Sequence, residues 1–149
     1  MNQQLPLVSV LMTAYNREKY IAEAIESVLA STYKNFELII VDDASVDNTV
    51  NIAKEYELSD PRIKMYVNET NLQQFPNRNK AASFASGKYI KYFDSDDTIY
   101  DWGLEYCVEL MEKYPDAGMG IFKAQNKVDE EYLLSEMAVN KHFFKNSFL

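Results

Sequence analysis

The sequence is short of the residues that many kinds of specialised chemistry require. Cys107 is the only cysteine among 149 residues, so no disulfide can close within the chain, which fits a reducing compartment. It falls in the apolar phase of a predicted helix, the place of a small core residue rather than a nucleophile. His142 is the only histidine and stands near the end of the chain, a poor position for a catalytic group. Glycine is scarce, with four in all, and none follows the first apolar run, where "AYNREKY" stands. That lack weakens any reading built on a glycine-rich phosphate loop, and it argues against the G-x-G-x-x-G of dinucleotide oxidoreductases. Basic residues are outnumbered by 23 acidic to 15, for a net charge of −8. Nucleic acid is therefore not the expected partner, because a phosphate backbone needs a basic face. Long apolar runs are missing as well: no segment approaches the roughly 18 residues of a membrane span, and no basic stretch leads an apolar one at the N-terminus. The expectation is a soluble, cytoplasmic chain without a transmembrane segment.

What is present is a core and a rhythm. Hydrophobic residues make up 47%, enough for one well-packed domain over residues 1–149. Apolar strand-like runs at 7–14, 36–43, 62–68 and 88–93 alternate with helical patterns at 20–31, 47–56, 76–86 and 102–114. Asp47 can cap the second helix. The third has Pro76 near its start and Gly87 just past its end, which reads as a start and a stop. Residues 117–124 could form a fifth strand, and an amphipathic helix follows from Asp129, with Leu133, Met137 and Phe144 inward. Strands separated by helical crossovers imply a mostly parallel sheet in an α/β fold.

In such sheets ligands bind beyond the carboxyl ends of the strands. "TAYN" (13–16), "DDAS" (42–45) and "FDSDD" (93–97) leave the first, second and fourth strands at that same edge. Asp94, Asp96 and Asp97 are like charges beside an apolar stretch, and each raises the cost of ionising the others. They call for a positive partner. A divalent cation that takes carboxylate oxygens and leaves room for phosphate oxygens meets the need. A metal-dependent nucleotidyltransferase and a nucleotide-binding module without catalysis both remain compatible with these residues.

The stretch "VSVLMTAYNREKYIAEAIESVLASTYKNFELIIVDDASVDNT", followed by "NLQQFPNRNKAASFASGKYIKYFDSDD", resembles the donor half of a family 2 glycosyltransferase. The resemblance implies a GT-A fold, Rossmann-like with three α/β/α layers, and metal-dependent, inverting transfer of a sugar from a nucleotide sugar to an acceptor hydroxyl. The donor would be a UDP-sugar and the acceptor a saccharide or a lipid-linked one. The resemblance also implies residue roles. Asp94-Ser95-Asp96 stands where the family's DxD signature meets the donor. Asp96 would ligate Mn²⁺ or Mg²⁺ and Asp94 would lie by the ribose and metal. Thr13 and Tyr15 would flank the base, Asp43 would accept a hydrogen bond from it, and Arg78 would contact the diphosphate region. Two departures stand out. The family often has glycine where this chain has Gln73. Its catalytic base lies well downstream of the DxD, so that it is expected beyond Leu149, in an acceptor half this chain does not include. Any tie to the inner face of the membrane would come from those parts.

Overall fold

The first strand, β1 (Val8–Ala14), is nearly all apolar because it lies between two other strands and is covered on both faces. The computed structural model describes residues 5–120. After β1 come α1 (Ile21–Leu29), β2 (Phe36–Asp42), α2 (Thr49–Ser59), β3 (Ile63–Val67), α3 (Gln74–Ser83), β4 (Tyr89–Asp94) and α4 (Gly103–Lys113). The strands form one sheet in the order β3-β2-β1-β4, and all three pairings are parallel. Val10, Leu11, Met12, Leu38, Ile39, Ile40 and Val41 are almost completely buried on the two central strands. Each such side chain contributes about 1.5–3 kcal/mol relative to exposure. Helix α1 buries the stripe Ile21, Ala24, Ile25 and Val28 that its spacing predicts. On the α3 side, Leu11, Ile39, Val41 and Ala81 form a core cluster closed by Tyr66 and Phe84, whose rings stack 3.9 Å apart.

The chain divides into two compact units, Met1–Leu104 and Glu105–Leu149. Everything that bears on the site lies in the first. The expected fifth strand is not formed over residues 117–120, and its remainder, with the helix expected from Asp129 and with His142, lies outside the described residues.

Two expectations about punctuation need correction. Helix α3 ends at Ser83, and Gly87 is not its stop: no glycine among the described residues has the positive φ of a left-handed cap. Gly87 is there for space. A Cβ at this position would stand 2.7 Å from Ser9 N and 2.8 Å from Leu7 O, so only glycine lets the start of β4 come this close to β1. A hydroxyl and a carboxylate fasten the same corner. Gly87 N–H donates to Ser9 Oγ, which donates to Glu37 Oε1, and Ser86 donates to that oxygen through its backbone N–H and hydroxyl. Burial pushes the Glu37 carboxyl up, but these donors outweigh it and hold the group below its ordinary range. Asp47 does cap α2, though from one residue ahead of the position expected of a cap: it accepts the Thr49 N–H at 3.0 Å.

Candidate nucleotide site

The strand order reverses direction between β1 and β4, which makes their carboxyl ends the topological switch point of the sheet. Register places Thr13 beside Asp94 and Ala14 beside Asp42 there. A cavity of about 600 Å³ opens at this edge, within the usual size of small-molecule sites. Thr13, Tyr15, Asp43, Asp94, Ser95 and Asp96 line it, together with Arg17, Gln73 and Asn77. Arg78 is adjacent through its ion pair with Asp94.

The loops that carry these groups are laced to one another. Asn16 N–H donates to Ser45 Oγ, and Val46 N–H donates to Asn16 Oδ1. Glu18 N–H donates to Asp47, and Arg17 N–H donates to Thr49 Oγ1 at 2.7 Å. Asp42 is fully buried and accepts both the N–H and the hydroxyl of Ser45, which gives it a structural role; burial nonetheless pushes its carboxyl up.

The three expected acidic contacts differ in what already holds them. Asp43 is 4% exposed and accepts three bonds from the protein. Asn68 Nδ2 and Leu72 N–H reach Oδ1, and Gln73 N–H reaches Oδ2 at 2.8 Å. A carboxylate oxygen can accept two, so Oδ2 has room for one more donor, and Asp43 lines the cavity. Asp43 is thus first the anchor of the loop from Asn68 to Gln73. Ser95 is buried and its hydroxyl donates to the Thr13 carbonyl, which ties β4 to β1. Asp94 and Asp96 are about half exposed, and each has an arginine for partner: Arg78 Nη2 lies 2.6 Å from Asp94, and Arg17 Nε lies 3.2 Å from Asp96. The positive partner in this structure is therefore a pair of guanidinium groups. The family resemblance singles out Arg78 but not Arg17. Among the described residues no three carboxylate, histidine or cysteine side chains gather closely enough to hold a metal unaided. Two half-exposed carboxylates from one turn do fit Mn²⁺ or Mg²⁺, hard ions that keep water and phosphate oxygens in most of their positions.

Among the described residues three other than glycine have positive φ, and all lie at this edge: Asn16, Ala44 and Gln73. Gln73 is the most strained, with φ 71° and ψ 169°, a region populated almost only by glycine. It is a shape that glycine takes without strain. The Asp43 and Asn71 oxygens, which both accept the Gln73 N–H, hold it there. Gln73→Gly should therefore raise stability. Relief of about 1–3 kcal/mol of strain exceeds the roughly 0.5–1 kcal/mol of added chain entropy. A melting temperature higher by about 2–4 °C is the expected reading in a thermal scan; a lower one would show that the glutamine side chain itself is needed.

Residues 9–148 match the model of glycosyl transferase family 2. EpsE of Bacillus subtilis is 47% identical over 111 residues, 73% of this chain and 40% of that protein. A glycosyltransferase of Methanocaldococcus jannaschii is 41% identical over 143 residues, 94% of this chain and 49% of its own length. Escherichia coli WfgD, a UDP-Glc:α-D-GlcNAc-diphosphoundecaprenol β-1,3-glucosyltransferase, is 44% identical over 107 residues, 72% of this chain and 42% of its length. The chain thus spans less than half the length of these relatives. Among solved structures, residues 1–349 of Staphylococcus aureus TarS with UDP-GlcNAc superpose at a TM-score of 0.69 and 29% identity, over 78% of this chain and 37% of that one. A Pyrobaculum calidifontis mannosyltransferase with GDP-Man and Mn²⁺ superposes at 0.72 and 21% identity, over 78% of this chain and 35% of that one, a likeness of fold. The parallel sheet, its helices and these neighbours identify the architecture as GT-A, and the chain belongs to glycosyl transferase family 2.

Proposed function

We propose that this chain is the donor-binding part of an enzyme that transfers a sugar from a UDP-sugar to an acceptor hydroxyl with inversion, aided by Mn²⁺ or Mg²⁺. The observation that carries the reading is the cavity at the switch point, where an aromatic ring, a buried carboxylate and two paired carboxylates meet. Tyr15 is 45% exposed and offers a ring face for a base. Thr13 flanks it, and the open position on Asp43 Oδ2 can accept a base N–H. Asp94 then lies by the ribose, with Ser95 fixing the turn between it and Asp96, and Arg78 paired with Asp94 at the edge of the diphosphate region. The UDP-GlcNAc bound to TarS and the UDP-Glc donor of WfgD support uridine as the base.

A bound cation would be held by Asp96 and Asp94 and would stabilise the negative charge of the departing diphosphate. In transfer, the acceptor oxygen bonds to the anomeric carbon on the face opposite the diphosphate as the old C–O bond breaks. A base must take the hydroxyl proton, commonly worth about 10²–10⁴ in rate. Asp43, Asp94 and Asp96 all have donor-side roles, so our reading assigns the base to a residue outside this cavity. The lipid diphosphate acceptor in the WfgD name supports a lipid-linked saccharide as acceptor and a place at the cytoplasmic face of a membrane. Among the described residues no helix is long and apolar enough to cross one.

Calorimetry with UDP, GDP and ADP, in Mn²⁺ and in EDTA, tests this. UDP should bind best and weaken at least about tenfold on chelation, about 1.4 kcal/mol. Equal affinity in EDTA would remove the metal from the reading, and no binding of any nucleotide would remove the reading.

A further inference from the structure

Among the described residues, Arg17 is the only cationic side chain lining a cavity that also presents Asp43, Asp94 and Asp96. A cavity lined by three carboxylates and one guanidinium is a poor host for a diphosphate unless that guanidinium is turned toward it. The side chain is positioned for the task. Its N–H is fixed to Thr49 Oγ1, and Nη1 donates to the Tyr15 and Asn16 carbonyls at 3.1 and 3.3 Å. Nε faces Asp96 Oδ2, and no bond among the described residues engages Nη2. Arg17 therefore stands two residues beyond Tyr15 and in contact with Asp96, between the two. Arg78 does not line the cavity and is spent on Asp94.

We propose that Arg17 is the residue that reads the diphosphate of the donor, exchanging its ion pair with Asp96 for phosphate oxygens. This rests on the reading above. The exchange is downhill for two reasons. Arg17 and Asp96 are 40% and 45% exposed, so their pair is weak, whereas a guanidinium fork on phosphate gains two parallel charged hydrogen bonds. And if Asp96 held a divalent cation, Arg17 would be without its partner and open to a phosphate. Cation and diphosphate should then strengthen each other's binding through this one side chain.

The test measures UDP, uridine and pyrophosphate binding by calorimetry in Mn²⁺ for the wild-type chain, Arg17→Ala and Arg17→Lys. Hydrogen bonds to charged groups of this kind translate to about 10–100-fold in affinity. Arg17→Ala should lose that much for UDP and pyrophosphate and less than about twofold for uridine, with an unchanged melting temperature. Arg17→Lys should recover part of it. Affinity for Mn²⁺ alone, read by the paramagnetic signal of the free ion, should hold or rise in Arg17→Ala, because a competitor for Asp96 is gone. Equal losses for UDP and uridine would mean that Arg17 only shapes the Tyr15 loop, and no loss would mean that it only neutralises Asp96; either overturns the inference. Wild-type binding of pyrophosphate but not UDP, with the same loss in Arg17→Ala, would uphold Arg17 while the nucleotide reading fell. Binding of neither would overturn both.

Discussion

Asp43→Ala should lower the melting temperature by about 10 °C and weaken UDP, GDP and ADP together. The reason is what the carboxylate holds. Asn68 Nδ2, Leu72 N–H and Gln73 N–H all donate to it, and Asn68 is itself 4% exposed. Alanine leaves these donors facing a void, at about 1–3 kcal/mol for each buried group without a partner, which over three donors amounts to about 3 kcal/mol or more. For a domain of this size each kcal/mol is worth roughly 2–4 °C. Asn68 adds to the cost, because its Oδ1 is already buried without a hydrogen bond and its Nδ2 would keep only Asn77. Gln73 would no longer be held in its strained conformation, and with it would go the cavity wall that it forms. Asp43→Asn provides the contrast. One oxygen can still serve Asn68 and Leu72, while the amide NH₂ confronts the Gln73 N–H, so the loss should be about a third as large. A group that only reads the base would behave differently: alanine would flatten the preference among nucleotides and leave the melting temperature alone. Thermal scans and calorimetry on the two variants separate these roles, and an unchanged melting temperature for Asp43→Ala would show that the loop is held by other means.

That Asp43 is an anchor before it is a contact shows where the sequence could be read and where it could not. The alternation of apolar runs and helical stripes gives the parallel sheet, since a strand buried on both faces has to be apolar throughout, as β1 and β2 are. The convergence of "TAYN", "DDAS" and "FDSDD" follows from the topology alone, because parallel strands deliver their carboxyl ends to one edge. Partnerships across long sequence separations leave no such trace. Nothing periodic links Arg17 to Asp96, and Arg17 sits in a segment whose spacing reads only as the approach to a helix. The path of residues 68–73 has no regular pattern, so the donors around Asp43 had no signal beyond the polar run "NETNLQQ". One signal was available. Glutamine at a position where the family often has glycine marks a backbone that must take a positive φ, and such a backbone needs something to hold it. Gly87 misled for the opposite reason: glycine after a helix suggests a cap, but here the constraint comes from β1, some 78 residues earlier along the chain.

Asp96→Ala should invert the response of the site to metal. In the wild-type chain Asp96 faces Arg17, and the cation proposed for this site needs the same oxygens. Without the carboxylate, one of the two protein ligands of that cation is gone. Lewis-acid neutralisation of a diphosphate is worth several kcal/mol, so UDP affinity in Mn²⁺ should fall about a hundredfold, or about 2.7 kcal/mol. In EDTA the sign reverses. Arg17 no longer has an acidic partner, and a diphosphate meets a free guanidinium instead of a paired one, so the variant should bind UDP more tightly than the wild-type chain does. The two titration series should therefore cross. The fold has little stake in this residue: Asp96 is about half exposed and its ion pair is worth less than about 1 kcal/mol, so the melting temperature should stay within a few degrees. Asp94→Ala makes the control. It also removes a cation ligand, but the arginine it frees is Arg78, which does not line the cavity. That variant should weaken binding in Mn²⁺ without any gain in EDTA. Calorimetry of UDP in both media for the three proteins reads all of this at once. If Asp96→Ala kept the wild-type affinity in Mn²⁺, Asp96 would not be a metal ligand; if it showed no gain in EDTA, the competition between Arg17 and the cation for Asp96 would be ruled out.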